Sequence, residues 1–337
     1  MNPISLFKKA SYFKLMLNSP IKQSTVEELV SKYPFKRCKE NQLLSMGFKH
    51  PLDSTSEEAY SYAVGDWIIL TIQIEEKSIS SSEVNYEVHE IVSEIQKKEV
   101  RKVTKEEKEE IKENIFAEKA KTAPSVFSSV NIAFDNYGNL LLNTTSSKIL
   151  DRANELLLRA LQNNATDIID GFSNDFPMAS TKILRESGGE FPSDLLLSIG
   201  EKGEGKNGGK KISFSKIVSD DENILSMLKG YDLEITKLEI YYTYKDYPLI
   251  SFISSKGVES FKLSDELSDY ISEQSEDAGN PEEEFDVEFN IYLDILRDFH
   301  KEYFAFLKKI IPFSKADYNI IERKFENPKE FIDFVTK

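Results

Sequence analysis

The chain has almost no cysteine: Cys38 is the single one in 337 residues. A disulfide framework and a cysteine-based zinc site are therefore excluded within one chain. Histidine is nearly as scarce. His50, His89 and His300 lie far apart, with no partner at metal-ligand spacing. Each reads as structural, and His300 sits among the apolar positions of a helix. Long hydrophobic runs are missing too, since nothing approaches the roughly 18–20 apolar residues of a membrane span. Lys8, Lys9 and Lys14 interrupt the first seventeen residues, so no secretion signal is read there, and a cytoplasmic location is expected. Positive charge is in deficit: 43 Lys and Arg against 58 Asp and Glu, a net −15. As a sum, this repels nucleic acid. Charges screen one another beyond about 8 Å at physiological salt, so a local basic face could still hold phosphate. What matters is where the lysines fall.

Hydrophobic content of 40 % and charged content of 30 % fit a soluble globular protein with a heavily charged surface. Its length suggests more than one lobe. Residues 11–16 and 64–75 read as strands, with a helix over 25–33 between them. From Glu83 to about Glu118 the chain is charged, helical and free of Gly and Pro, and Thr104 with Glu107 forms a T-x-x-E box that predicts a break near 104. Asn136-Tyr137-Gly138-Asn139 marks a hairpin, and residues 148–162 an amphipathic helix. Residues 200–211 (GEKGEGKNGGKK) read as a flexible basic loop and 264–288 as an acidic linker. Between them 233–244, 248–254 and 258–263 form a three-strand meander, with turns at Asp246-Tyr247 and Lys256-Gly257. Residues 289–312 predict a mostly buried helix, and Asn327-Pro328 opens a last short one. The expected organisation is an N-terminal α+β lobe from 1–82 with 120–170, a charged helical segment at 83–119, a second α+β lobe at 171–275, and a C-terminal helical segment at 276–337.

The charged helix carries the main functional signal. On a wheel of about 100° per residue, Lys97, Lys98, Arg101, Lys102, Lys105, Lys108 and Lys112 fall within an arc of about 140°, and most acidic residues fall outside it, with Glu94 and Glu109 inside. A continuous helix would extend that stripe for about 22 Å, enough to track several phosphates. The alternative is a solvated helix laced by i,i+4 pairs such as Lys105 with Glu109. A second basic element is the lysine-rich loop, with Lys202, Lys206, Lys210 and Lys211, followed by Lys216.

Catalytic motifs do not assemble. Gly203-x-Gly205-x-x-Gly208 matches a dinucleotide fingerprint, but no strand leads clearly into it and no helix opens from it. Glu94-x-x-Lys97 and Glu234-x-x-Lys237 invite a nuclease reading without convergent carboxylates beside them. Neither an enzyme nor a cofactor nor a metal is expected.

Scattered segments in a fixed order resemble the recombination-associated RdgC family. They are Leu6-Phe7-Lys8 with Tyr12-Phe13-Lys14-Leu15; Phe35 and Cys38 before Ser45-Met46-Gly47-Phe48 and Pro51; Ile74-Glu75-Glu76-Lys77; and Arg101-Lys102 with Lys105-Glu106-Glu107-Lys108. They continue through Ala123-Pro124-Ser125-Val126-Phe127, Ile132-Ala133-Phe134-Asp135 with Gly138, Thr236-Lys237-Leu238, Phe261-Lys262-Leu263-Ser264-Asp265-Glu266-Leu267 and Phe285-Asp286-Val287-Glu288-Phe289. Residues 163–230 match poorly, and the Gly-rich lysine loop is peculiar to this chain. The resemblance implies an elongated, multi-lobed α+β subunit with antiparallel sheets, closing as a dimeric ring around duplex DNA. It implies a nucleoid-associated homodimer that binds DNA with little sequence preference and restrains RecA-dependent strand exchange. Phe127 would lie at one ring-closing interface, and Lys216 near the opposing one. The expected DNA contacts are Lys97, Lys98, Arg101, Lys102, Lys105, Lys108, Lys112, Lys210, Lys211 and Lys216. Two rival readings stay open: an acidic protein that binds a DNA-handling partner by imitating DNA, and a metal-dependent nuclease.

Overall fold

The computed structural model describes residues 3–40, 42–52, 59–170, 175–186, 190–215 and 233–311. Lys216 and the helix expected at Asn327-Pro328 lie outside the described residues. The chain is α+β with antiparallel strand pairings and seven α-helices among the described residues. It divides into two compact units. One comprises Met1–Gln23, Ala63–Ile69 and Asn131–Lys337, the other Ser24–Tyr62 and Leu70–Val130.

The first unit holds two sheets. In one, β5 (Ser125–Asp135) leads through β6 (Asn139–Leu142) and β1 (Ser11–Leu17) to β7 (Ala165–Asp170). Phe13 lies opposite Leu140, and Leu15 opposite Ile168. The other sheet has the order β12 (Gly257–Leu263), β11 (Tyr247–Ser254), β10 (Glu234–Tyr244), β8 (Leu197–Asn207), β9 (Lys210–Ser215). The meander appears as expected, except that both turns sit one residue earlier, at Lys245-Asp246, which both take positive φ, and at Ser255-Lys256. Also here are α4 (Ser147–Leu161), α5 (Phe176–Glu186), α6 (Asp265–Glu273) and α7 (Pro281–Ile310). Phe289, Tyr292, Leu296, Phe299, Tyr303 and Phe306 recur at helical spacing along α7 and are buried. Tyr12 of β1 donates its hydroxyl to Leu296 O at 3.1 Å, while Tyr242 of β10 and Phe261 of β12 meet the Phe299 ring edge-on. The long helix thus supplies core to both sheets.

Two expectations fail in this unit. Residues 200–211 are not a loop but the facing halves of a β8–β9 hairpin, with Lys202 opposite Ser215 and Lys206 opposite Lys211. Gly208 and Gly209 both have positive φ, +52° and +86°, the backbone of a tight two-residue hairpin turn. The Gly203-x-Gly205-x-x-Gly208 pattern therefore runs along a strand into its turn. Residues 264–288 are not a linker either. Ser264 caps α6 by accepting from Leu267 N–H, and Asn280 caps α7 by accepting from Glu282 and Glu283 N–H. Pro281 opens α7, where its missing N–H costs nothing. The carboxylates of Asp265, Glu266 and Glu282–Glu284 occupy first turns, where the helix dipole favours negative charge.

The second unit is built on β4 (Trp67–Lys77), whose register to β2 (Leu44–Lys49) sets Met46 opposite Ile74 and Phe48 opposite Ile72. Beside this sheet stand α1 (Gln23–Val30), α2 (Ser81–Glu99) and α3 (Lys105–Thr122).

Candidate nucleic-acid interface

The charged segment is an antiparallel helical hairpin. Lys119, near the end of α3, pairs with Glu87 at 2.7 Å and Glu83 at 3.8 Å near the start of α2. Ser80 caps α2 by accepting from Glu83 N–H, and Val100 ends it in left-handed backbone (φ 53°). The Thr104 hydroxyl accepts from Glu107 N–H while the Glu107 carboxylate accepts from Thr104 N–H, the capping box anticipated from the sequence. Arg101 closes the tip. Its guanidinium meets Glu99 at 2.6 Å and Glu107 at 2.7 Å. The Arg101 hydrogen bond, with that from Thr104 N–H, draws the Glu107 carboxyl down to about 2.

This geometry corrects the continuous stripe. Residues 100–104 leave the helix, so Lys97 and Lys98 belong to α2 and Lys105, Lys108 and Lys112 to α3, with Arg101 and Lys102 in the connection. The single-wheel phase does not apply across the break. The chain reversal gathers the charges instead: Lys97 to Lys105 carries five basic residues and one acidic, all at the hairpin tip. Not all are available. Arg101 is engaged in the turn, Lys98 pairs with Glu94 at 3.2 Å, and Glu109 reaches Lys112 at 4.0 Å rather than Lys105. Lys97, Lys102, Lys105 and Lys108 are exposed and have no carboxylate partner among the described residues.

Lys210 and Lys211 sit beside the β8–β9 turn, in the other unit. Lys210 is exposed; Lys211 pairs with Glu204 at 2.9 Å. Phe127 lies on the part of β5 that belongs to the second unit, where it is 44 % exposed beside Val126 at 57 %. The Arg37 guanidinium covers the Phe127 ring at 4.4 Å. Beneath them Glu75 is buried and fully engaged. It accepts from Cys38 N–H at 2.7 Å and from the Ser125 hydroxyl at 2.6 Å, with Arg37 at 3.7 Å. Burial opposes its charge, but these donors together with Arg37 and Lys77 hold its pKa below the ordinary carboxylate value. Sequence reasoning missed this cluster, although Lys36-Arg37-x-Lys39 is visible as three cations in four residues.

A sequence model of the family described as "Putative exonuclease, RdgC" matches residues 6–310. The chain belongs to the RdgC family. Relatives named "Recombination-associated protein RdgC" include one from Pseudomonas entomophila, 28 % identical over 155 residues, which are 45 % of this chain and 49 % of that protein. Another, from Actinobacillus pleuropneumoniae serotype 3, is 23 % identical over 229 residues, 68 % of this chain and 70 % of that protein. The chain thus spans about half the length of the Pseudomonas relative. The two descriptions, exonuclease and recombination-associated, differ. Among the described residues, no group of three His, Cys, Asp or Glu side chains converges as a metal site, and no helix is long and apolar enough to cross a membrane.

Proposed function

We propose that this RdgC-family protein binds double-stranded DNA without sequence preference, encircles it as a homodimeric ring, and restrains RecA-dependent recombination at the nucleoid. The observation carrying the DNA reading is the set of four exposed lysines, Lys97, Lys102, Lys105 and Lys108, at the helical hairpin, with no carboxylate partner among the described residues. They are solvated point charges on flexible stems, suited to phosphate and carrying no base-reading geometry. Their local excess answers the net charge of −15, because acidic surface beyond a screening length is invisible to phosphate at the tip. Ring closure is supported by the family membership and by the exposed Val126–Phe127 strand segment, an apolar surface suited to meeting its counterpart on a second copy. An enclosed duplex would be retained topologically and would obstruct a recombinase filament.

Counterion release tests this reading. Four lysines in each of two subunits contribute about eight phosphate contacts, hence a contribution of about −7 to the log–log salt slope for duplex binding, alike for unrelated sequences. A slope near zero with tight binding to a basic protein would instead favour the acidic-mimic reading. The family description favours a nuclease as second reading. Labelled DNA incubated with the protein and magnesium or manganese stays intact under our proposal and shortens under the nuclease reading.

A further inference from the structure

Residues 34–40, Gln42 and strand β2 border a surface cleft of about 620 Å³ whose lining includes Lys36, Arg37, Lys39, Gln42 and Ser45. The loop is held from inside at several backbone groups. Phe35 N–H donates to Phe48 O, and Phe48 N–H returns to Tyr33 O. The Ser45 hydroxyl donates to Lys36 O, and the buried Glu75 takes Cys38 N–H. The Lys77 ammonium donates to Lys39 O, Glu40 O and, at the end of α3, Ala120 O. Gly47 makes this closeness feasible, since a Cβ there would stand 2.4 Å from the Phe35 backbone. With Glu75 and Lys77 satisfied internally, the loop carries three cations, Lys36, Arg37 and Lys39, against one exposed carboxylate, Glu40. Lys36 and Lys39 are exposed, and no carboxylate partners either among the described residues. Arg37 is exposed and anchored on Phe127 and Glu75.

We infer that this cleft is a second phosphodiester-binding site, in which Lys36 and Lys39 contact backbone phosphates and Arg37 is held in place between them. The inference deepens the proposed duplex binding and rests on it. A rigid backbone with three outward cations offers a polyanion charge without the cost of ordering the loop. Three of the seven lining residues are cations, a charge density that suits a phosphate contact better than the charge-depleted centre of a protein interface. Lys77 fastens the loop to Ala120, and α3 runs from there to Lys105 over about 22 Å. Cleft and tip are therefore two ends of one unit, separated by roughly six or seven base pairs of axial rise at about 3.4 Å each. Binding at both would fix how duplex lies along the hairpin.

The test compares the full chain with its Lys36→Gln/Lys39→Gln variant, and with a Lys9→Gln/Lys22→Gln control of equal net charge. Duplex binding is titrated across salt, with oligomeric mass and thermal unfolding measured alongside. The cleft variant should unfold like wild type and shrink the salt slope by about 3 to 4, at about 0.9 per lost contact over two subunits. The control should change it little. An unchanged slope in the cleft variant overturns the site while leaving duplex binding at the tip intact. An equal loss in the control makes the effect one of net charge and also overturns it. Loss of self-association with unchanged DNA binding assigns the cleft to an acidic protein surface, again overturning it. A wild type that binds no duplex fails the functional reading and the cleft together.

Discussion

Lys14 and His300 are held well away from their solution chemistry. The Lys14 ammonium donates to Asn139 Oδ1 at 3.2 Å. Burial lowers its pKa to about 7, with the attraction of Asp135 working against the shift and Lys301 adding to it. His300 stacks on Tyr12 at 4.1 Å, and burial lowers its pKa to about 3, Lys14 adding to the effect. Both groups are harder to protonate in the native state than in the unfolded chain, so both lower stability where the unfolded chain takes up the proton first. For Lys14 that window lies between its native value near 7 and its ordinary value near 10.4; for His300, between about 3 and 6.5. Stability should therefore fall as pH drops from 6.5 towards 3, by up to ~1.4 kcal/mol per unit from His300 alone. It should rise from pH 7 to 9, and Lys14→Met should flatten that rise in denaturant titrations. An unaltered slope in the variant would remove Lys14 as the cause. The core role of His300 was legible from its place in an apolar helical pattern. Lys14 was not, because a lone lysine on an alternating strand says nothing of the α7 residues that cover it. Arg37 and Glu75 were hidden for a related reason: their pairing joins a loop to a strand 38 residues away.

The elements were best legible where local chemistry decides them. Thr104 and Glu107 announce the break between α2 and α3 because a capping box is made within four residues. The wheel drawn across that break failed, since periodicity is blind to the five residues that reverse the chain. The 200–211 stretch was misread because glycine and lysine densities resemble a loop, whereas the cross-strand pairing of β8 with β9 and β10 is set by distant partners. The acidic stretch 264–288 was misread although Asn280-Pro281 carries the same cap-and-proline signal that was accepted at Asn327-Pro328. Its charge density matches a solvated linker as well as it matches two helix first turns. One prediction belongs at this scale. Val100 is a β-branched residue in left-handed backbone and 89 % exposed, a conformation that costs about 1–2 kcal/mol for a residue with a Cβ. Val100→Gly should raise hairpin stability by about 1 kcal/mol, read as slower amide exchange across α2 and α3. Faster exchange would show that the valine side chain contributes more than the strain removes.

At the scale of the whole molecule, composition and site pull in opposite directions: an acidic chain presents a basic hairpin tip and a cation-lined cleft in one of its two units. Family membership was carried by many short segments in order, none of them specific alone, and this is why no catalytic-type motif search could have found it. Self-association is testable through Phe127. Phe127→Asp would set a carboxylate on the exposed strand segment beside Arg37, and under the ring reading it should lower the mass of the assembly to that of one chain. A mass unchanged by the substitution would place the interface elsewhere. The central claim is that phosphate is held by the four exposed lysines of the hairpin. The most direct measurement is the salt dependence of duplex binding by a Lys97→Gln/Lys102→Gln/Lys105→Gln/Lys108→Gln variant beside the wild type. The account predicts that the slope falls by about 7, eight contacts at about 0.9 each, equally on every sequence tried. A slope that stays at the wild-type value, or a loss confined to one sequence, would contradict it.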